Sequence, residues 1–241
     1  MIRQIVKDYA IVEEIAPRDY QFNGTSAALK PMILHLFSDN TPARSVLDIG
    51  FGRGELGQLI RTNPGTAHWS VDGIDGFDVT CCNKPLFEMG YYRNIWHGYA
   101  QDLGPEQLKS YDVLCLLDVI EHLDAPTAKG LLRNLLSSLG ENSLLFISTP
   151  LWFYPQDAQQ EGDLEEHLIG VPATSMMSLK PLMYSVGARL VGNFVFGRQS
   201  LAHIDAFEPT TDRSFDIEQG TKLALDVGMK LDPGILFKIT Y

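Results

Sequence analysis

An α/β fold built on a mostly parallel sheet follows from three features of this 241-residue sequence. Short apolar runs of strand length alternate with segments of helical period. A glycine-rich bend joins the first run to the helix after it. The second run ends on an acid, Asp75. Strands separated by helices require crossover connections, which set parallel strands side by side with both faces covered.

The elements follow in order. Residues 1–40 are read as a helical lead-in of one or two helices. Ser45–Ile49 (SVLDI) is a short apolar strand, and 55–61 is a helix. Residues 68–75 (HWSVDGID) alternate as a strand does, and 94–99 is a third strand. Residues 111–117 (YDVLCLL) form a buried strand. Leu131, Leu132, Leu135, Leu136 and Leu139 recur at helical spacing over 126–139, with Pro126 in the first turn and Gly140 after the end. Residues 143–148 (SLLFIS) form a fifth strand, and 152–172 a loop over the strand ends. A helix is expected at 175–186 and a strand at 189–196. Residues 198–233 are read as an insertion, and 234–241 (GILFKITY) as a last strand. The whole of 1–241 is expected to be a single domain.

Composition excludes several classes. Hydrophobic residues make up 45% and charged residues 20%, enough apolar surface for a packed core and too much for a disordered chain. Nineteen Lys and Arg against thirty Asp and Glu give a net charge of −11. A surface this acidic disfavours nucleic acid, which is bound through many cationic phosphate contacts, and anionic membranes. Three cysteines, two of them adjacent, make a poor disulfide framework and carry no C-x-x-C spacing. A reducing, cytoplasmic setting is the expectation. The acids Asp8, Glu13 and Glu14 near the start are unlike a signal peptide, and no uncharged stretch is long enough to span a bilayer.

The bend reads VLDIGFGRGELG, with Gly50, Gly52 and Gly54 between strand and helix. Glycine permits positive φ and lets a ligand approach the backbone without a Cβ in the way. Gly52, Gly54 and Gly57 spell G-x-G-x-x-G, the dinucleotide fingerprint. Asp48 and Glu55 flank the bend, however, and their charges would repel a pyrophosphate. They suit a ligand carrying a cationic ammonium and sulfonium. Asp75 can accept both hydroxyls of a ribose, which fits either kind of nucleoside.

With these motifs in register the chain resembles the class I S-adenosylmethionine-dependent methyltransferases. VLDIGFGRG is similar to that family's first motif, VDGID to its second, YDVLCLLDVIEHLD to its fourth, and SLLFISTP to its fifth strand and exit. The resemblance implies a Rossmann-like three-layer sandwich whose seven-stranded, mostly parallel sheet ends in an antiparallel last strand, with GILFKITY the candidate. It also implies S-adenosyl-L-methionine as cofactor and S-adenosyl-L-homocysteine as product. Gly50, Gly52 and Gly54 would back the methionyl part while Asp48 holds its ammonium. Asp75 would hold the ribose. Ala100 and Asp102 would contact the adenine, Tyr99 standing where an acid is expected. Leu116 and Leu117 would present carbonyls near the methionyl group.

Asp118, Glu121 and His122 (D-V-I-E-H) follow the fourth strand, at the edge where such sheets bind ligands. In a helical turn, Asp118 and His122 would share a face. Two carboxylates and an imidazole suit a divalent cation, and the pattern is similar to the E-x-x-E-H of some metal-dependent O-methyltransferases. The favoured reading is structural hydrogen bonding, with the metal as alternative. His167, in the loop after the fifth strand, is a base, a further ligand or a surface histidine. Asp118, His122 and His167 are the catalytic candidates, and Trp152, Phe153 and Tyr154 could wall an acceptor pocket. The leading expectation is methyl transfer to a small molecule, at oxygen. The alternatives are an NAD(P)-dependent oxidoreductase using the Gly52–Gly54–Gly57 loop and a non-catalytic cofactor-binding protein. The sequence does not fix the acceptor or the oligomeric state.

Overall fold

A computed structural model describes residues 2–20, 44–160 and 162–231. The chain divides into two compact units, Met1–Cys115 and Leu116–Tyr241, and the division falls within a single strand.

The first unit begins with a correction. The lead-in expected to be helical is, over its first residues, a hairpin of β1 (Arg3–Lys7) and β2 (Ala10–Ile11), with Val6 opposite Ile11 and Lys7 opposite Ala10. Asp8 and Tyr9 make the turn at φ 48° and 67°, the left-handed pair a tight hairpin requires. The β-branched residues Ile5, Val6 and Ile11 favour a pleated surface over a helix. An ion pair between Arg3 and Glu13 ties the hairpin to the segment after it. The rest of the lead-in from residue 21 lies outside the described residues.

The next three strands appear as expected. β3 (Ser45–Ile49) runs parallel to β4 (Ser70–Asp75) from Ser45↔Ser70 to Ile49↔Ile74, and β4 runs parallel to β5 (Asn94–His97). Helix α1 (Glu55–Thr62) makes the crossover from β3 to β4. Two further short helices, α2 (Asp78–Cys81) and α3 (Lys84–Glu88), lead to β5. The order is β2-β1-β5-β4-β3, with β1 antiparallel to β5. Val46, Leu47, Val71, Ile74 and Ile95 are sealed in its core. A one-turn helix, α4 (Pro105–Leu108), precedes β6 (Val113–Leu117), the strand on which the units divide.

In the second unit, α5 (Ala125–Ser138) buries Leu131, Leu132, Leu135 and Leu136. Its start is set by Asp124, whose carboxylate accepts from the Thr127 backbone N–H at 2.9 Å. That hydrogen bond, with a second from the Thr127 hydroxyl, lowers the Asp124 pKa. β7 (Leu144–Pro150) follows. The helix expected over 175–186 is instead α6 (Ala173–Ser178) and then β8 (Met183–Val186). Pro181 disfavours helical backbone at the residue before it, and Lys180 turns left-handed at φ 56°. β9 (Val191–Phe196) is antiparallel to both β7 and β8, giving the order β7-β9-β8. An antiparallel strand is therefore present, but it is β9; the candidate at 234–241 lies outside the described residues. The stretch read as an insertion holds a 3-10 segment, Arg198–Ala206, and α7 (Ile217–Asp226).

Nine strands are described where seven were expected: β1, β2 and β8 are additional, and the expected strand at 234–241 lies outside the described residues. The α/β class holds. No described helix is long and apolar enough to cross a membrane.

Candidate functional site

In the first unit the glycine bend adopts the conformation its sequence calls for. Gly50, Gly52 and Gly54 have φ of 69°, 53° and 78°. Among the described residues, the nearest atom to a Cβ placed on Gly52 would be the Gly50 carbonyl oxygen, at 3.9 Å. The two acids are buried beside the bend. Asp75 accepts the Gly52 N–H at 2.9 Å on one carboxylate oxygen and the Phe77 N–H at 2.8 Å on the other. Burial raises its pKa, against those backbone hydrogen bonds. Asp48, 2% exposed, accepts the Tyr92 hydroxyl at 2.7 Å.

Gly57 leaves room for the Tyr92 ring. A Cβ there would lie 2.4 Å from the Tyr92 ring. Gly57→Ala should therefore destabilise the protein by about 1–3 kcal/mol through overpacking, although alanine is the better helix former; denaturant unfolding measures it, and a stabilised variant would contradict the packing.

Ala100 and Asp102 sit in a 3-10 turn after β5, Ala100 buried and Asp102 exposed. Leu116 and Leu117 are buried in β6.

In the second unit the candidate chemistry gathers after β6. Asp118 takes φ 54°, left-handed for a non-glycine residue, a strained conformation of the kind found at functional sites. It stands before the 3-10 turn Ile120–His122, so the face it was expected to share with His122 does not form. The Asp118 Oδ1 accepts from the Ser148 hydroxyl at 2.7 Å, and its Oδ2 is buried without a hydrogen-bond partner. The residues brought together are Glu121, His122 and His167, whose ligating atoms lie within 4.8 Å of one another. The donor set is thus E-H with a distant histidine, and Asp118 is not in it.

The loop after β7 fixes this cluster. The Leu168 and Ile169 N–H groups both donate to the Glu121 carbonyl, at 2.8 and 3.2 Å. His122 Nδ1 lies 3.1 Å from the Glu166 carbonyl, and His167 Nδ1 lies 2.7 Å from the Tyr154 carbonyl. Each carbonyl can only accept, so each Nδ1 carries the proton and each Nε2 keeps its lone pair. The two rings meet edge to face at 4.5 Å. His167 also contacts Tyr154, which contacts Trp152, at 5.7 and 5.2 Å. His167, 6% exposed, is no surface histidine.

Burial governs the protonation of all three. The Glu121 pKa is pushed well up by burial and then by the charge of Asp118, and its Oε2 has no hydrogen-bond partner. That of His122 is pushed down to about 4 by burial and then by His167, and that of His167 is also lowered by burial. Between pH 4 and the ordinary 6.5 the unfolded His122 binds more protons than the folded one. Its contribution therefore makes stability fall as pH drops through that window. Titration of the imidazole signals by NMR should place His122 near 4, and a value at 6.5 would contradict its burial.

The donor set suits a divalent cation. A buried carboxylate with an unpartnered oxygen and two neutral imidazoles held through Nδ1 resemble the ligands and outer hydrogen bonds of transition-metal sites.

Sequence motifs alone would not have exposed Tyr92 or Ser148, since both act through partners brought in by the fold.

The family model described as a methyltransferase domain matches residues 22–191, and the chain belongs to that family of S-adenosylmethionine-dependent enzymes. No curated protein matches the sequence. Among solved structures, the PH0226 protein of Pyrococcus horikoshii is similar at 13% identity and TM-score 0.52, over 70% of this chain and 87% of that one. Phosphoethanolamine N-methyltransferase 2 of Haemonchus contortus, solved with S-adenosyl-L-methionine, is 17% identical with TM-score 0.42, over 55% of this chain. This chain spans only 30% of that protein's length. A putative O-methyltransferase of Nostoc punctiforme is 20% identical with TM-score 0.48, over 70% of this chain and 55% of that one.

Proposed function

We propose that this methyltransferase acts on a hydroxyl of a small molecule and that Glu121, His122 and His167 hold a divalent cation there. The single observation behind the acceptor reading is the convergence of these three donor atoms within 4.8 Å. Membership of the methyltransferase family decides against the nicotinamide alternative.

S-adenosylmethionine supplies a methyl carbon already activated by its sulfonium, and the protein's task is alignment. On this reading the Gly50–Gly54 backbone admits the methionyl part, Asp48 pairs with the ammonium, and Asp75 accepts the ribose hydroxyls. Ala100 and Asp102 serve the adenine.

A hydroxyl acceptor must also lose its proton. A His122 ring with a pKa of about 4 is a weak base at neutral pH, since a general base works best near the operating pH. The same ring is an effective ligand because it is always neutral. A cation would lower the acceptor's pKa and offset the burial of the Glu121 carboxylate. That comparison favours ligation over direct proton abstraction. Asp118, with one unpartnered buried oxygen, is a positioning residue in this scheme. Trp152 and Tyr154 supply aromatic surface for the acceptor. The net charge of −11 supports a small molecule over nucleic acid.

The test is an assay of S-adenosylhomocysteine release with a panel of phenols and alcohols, after chelation and after adding back Mg²⁺, Mn²⁺ or Zn²⁺. Turnover should vanish on chelation and return with one of the ions. Turnover unaffected by chelation would overturn the metal reading and return the histidines to acid–base work.

A further inference from the structure

Tyr92 reaches Asp48 from outside every motif, in the GYYRN segment between α3 and β5. Its ring is 2% exposed, its centroid 5.6 Å from that of Phe51. Two glycines make room for it. A Cβ on Gly57 would stand 2.4 Å from the ring, and one on Gly73 3.1 Å from it. The space is specific to a tyrosine because both functions of the hydroxyl are used. The phenol accepts from the Gly57 N–H at 3.1 Å and donates to the Asp48 Oδ2 at 2.7 Å.

Gly57 is the third residue of α1. Its N–H is one of the four at a helix start that have no partner within the helix. The phenol thus passes the polarity of the helix start on to the carboxylate, and hydrogen bonds in such a chain reinforce one another. The direction is set: the amide can only donate, so the phenol's own proton goes to Asp48.

We infer that Tyr92 is a positioning residue for the cofactor's amino-acid end, fixing the orientation of the Asp48 carboxylate toward the ammonium through the Gly57–Tyr92–Asp48 relay. The inference rests on the cofactor reading given above. It separates the two halves of the ligand. The nucleoside half is served by Asp75 and does not depend on the phenol, whereas the homocysteine half does.

The test compares calorimetric affinities for S-adenosylhomocysteine and for 5′-methylthioadenosine, which lacks the amino-acid end. Tyr92→Phe keeps the ring in its slot and removes only the hydroxyl. It should weaken S-adenosylhomocysteine about tenfold, the scale of one charge-assisted hydrogen bond, while 5′-methylthioadenosine changes less than twofold. In an Asp48→Asn background the same substitution should cost S-adenosylhomocysteine less than twofold, because coupled groups do not add. Equal weakening of both ligands, unchanged affinity for S-adenosylhomocysteine, or full additivity with Asp48→Asn would overturn the relay. A wild-type protein that binds neither ligand would instead overturn the cofactor reading on which the relay depends.

Discussion

Gly52→Val should abolish binding of S-adenosylhomocysteine while leaving a folded protein. At φ 53° a side chain is strained, by about 1–2 kcal/mol for an L-residue in the left-handed region. In a chain of this size each kcal/mol lowers the thermal midpoint by about 2–4 °C, so the variant melts several degrees lower and still folds. The larger effect falls on the ligand. Among the described residues the new Cβ meets only the Gly50 carbonyl oxygen, at 3.9 Å, so on the cofactor reading the valine methyls enter the space the methionyl group needs. Calorimetry and thermal melting on the same sample separate the two effects. Retained affinity in a folded variant would contradict the assignment of the loop.

His122→Ala and His167→Ala should each lower turnover up to about a hundredfold, the range lost with a partner of a metal site, with S-adenosylhomocysteine affinity within about twofold. The split follows from the placement of the two functions: among the described residues these rings meet each other, Tyr154 and the Glu166 carbonyl, none of them assigned to the cofactor. Each variant removes one imidazole from the three-donor set, and Mn²⁺ or Zn²⁺ affinity measured by calorimetry should fall with turnover. Both variants retaining full activity on an identified acceptor would remove the histidines from the chemistry.

Local pattern carried the sequence reading where one element's own residues decide its structure. The five apolar runs from Ser45 to Pro150 became strands because each has enough β-branched and aliphatic residues to be buried on its own account. Helix α5 was marked by its leucine spacing, although its cap, Asp124, was not. The errors arose where a turn residue or a distant partner decides. Asp8 and Tyr9 fold the lead-in back into a hairpin that pairs with β5, far along the chain. Lys180 and Pro181 stop a helix whose apolar residues would have continued it. At the site, the residue types of D-V-I-E-H were readable, but their geometry was not: the left-handed turn at Asp118 breaks the helical spacing that grouped it with His122. Tyr92 carries no local signal, because its partners Gly57 and Asp48 come from α1 and β3.

The central claim is that the bend from Gly50 to Gly54, with Asp48 and Asp75 beside it, holds a sulfur nucleoside. A crystal structure of the protein with saturating S-adenosylhomocysteine tests it most directly. The expected result is ligand density over Gly52, with the amino group within hydrogen-bonding distance of Asp48 and both ribose hydroxyls on Asp75. Density elsewhere in the molecule with this bend empty, or a bend that takes the diphosphate of a dinucleotide instead, would contradict it.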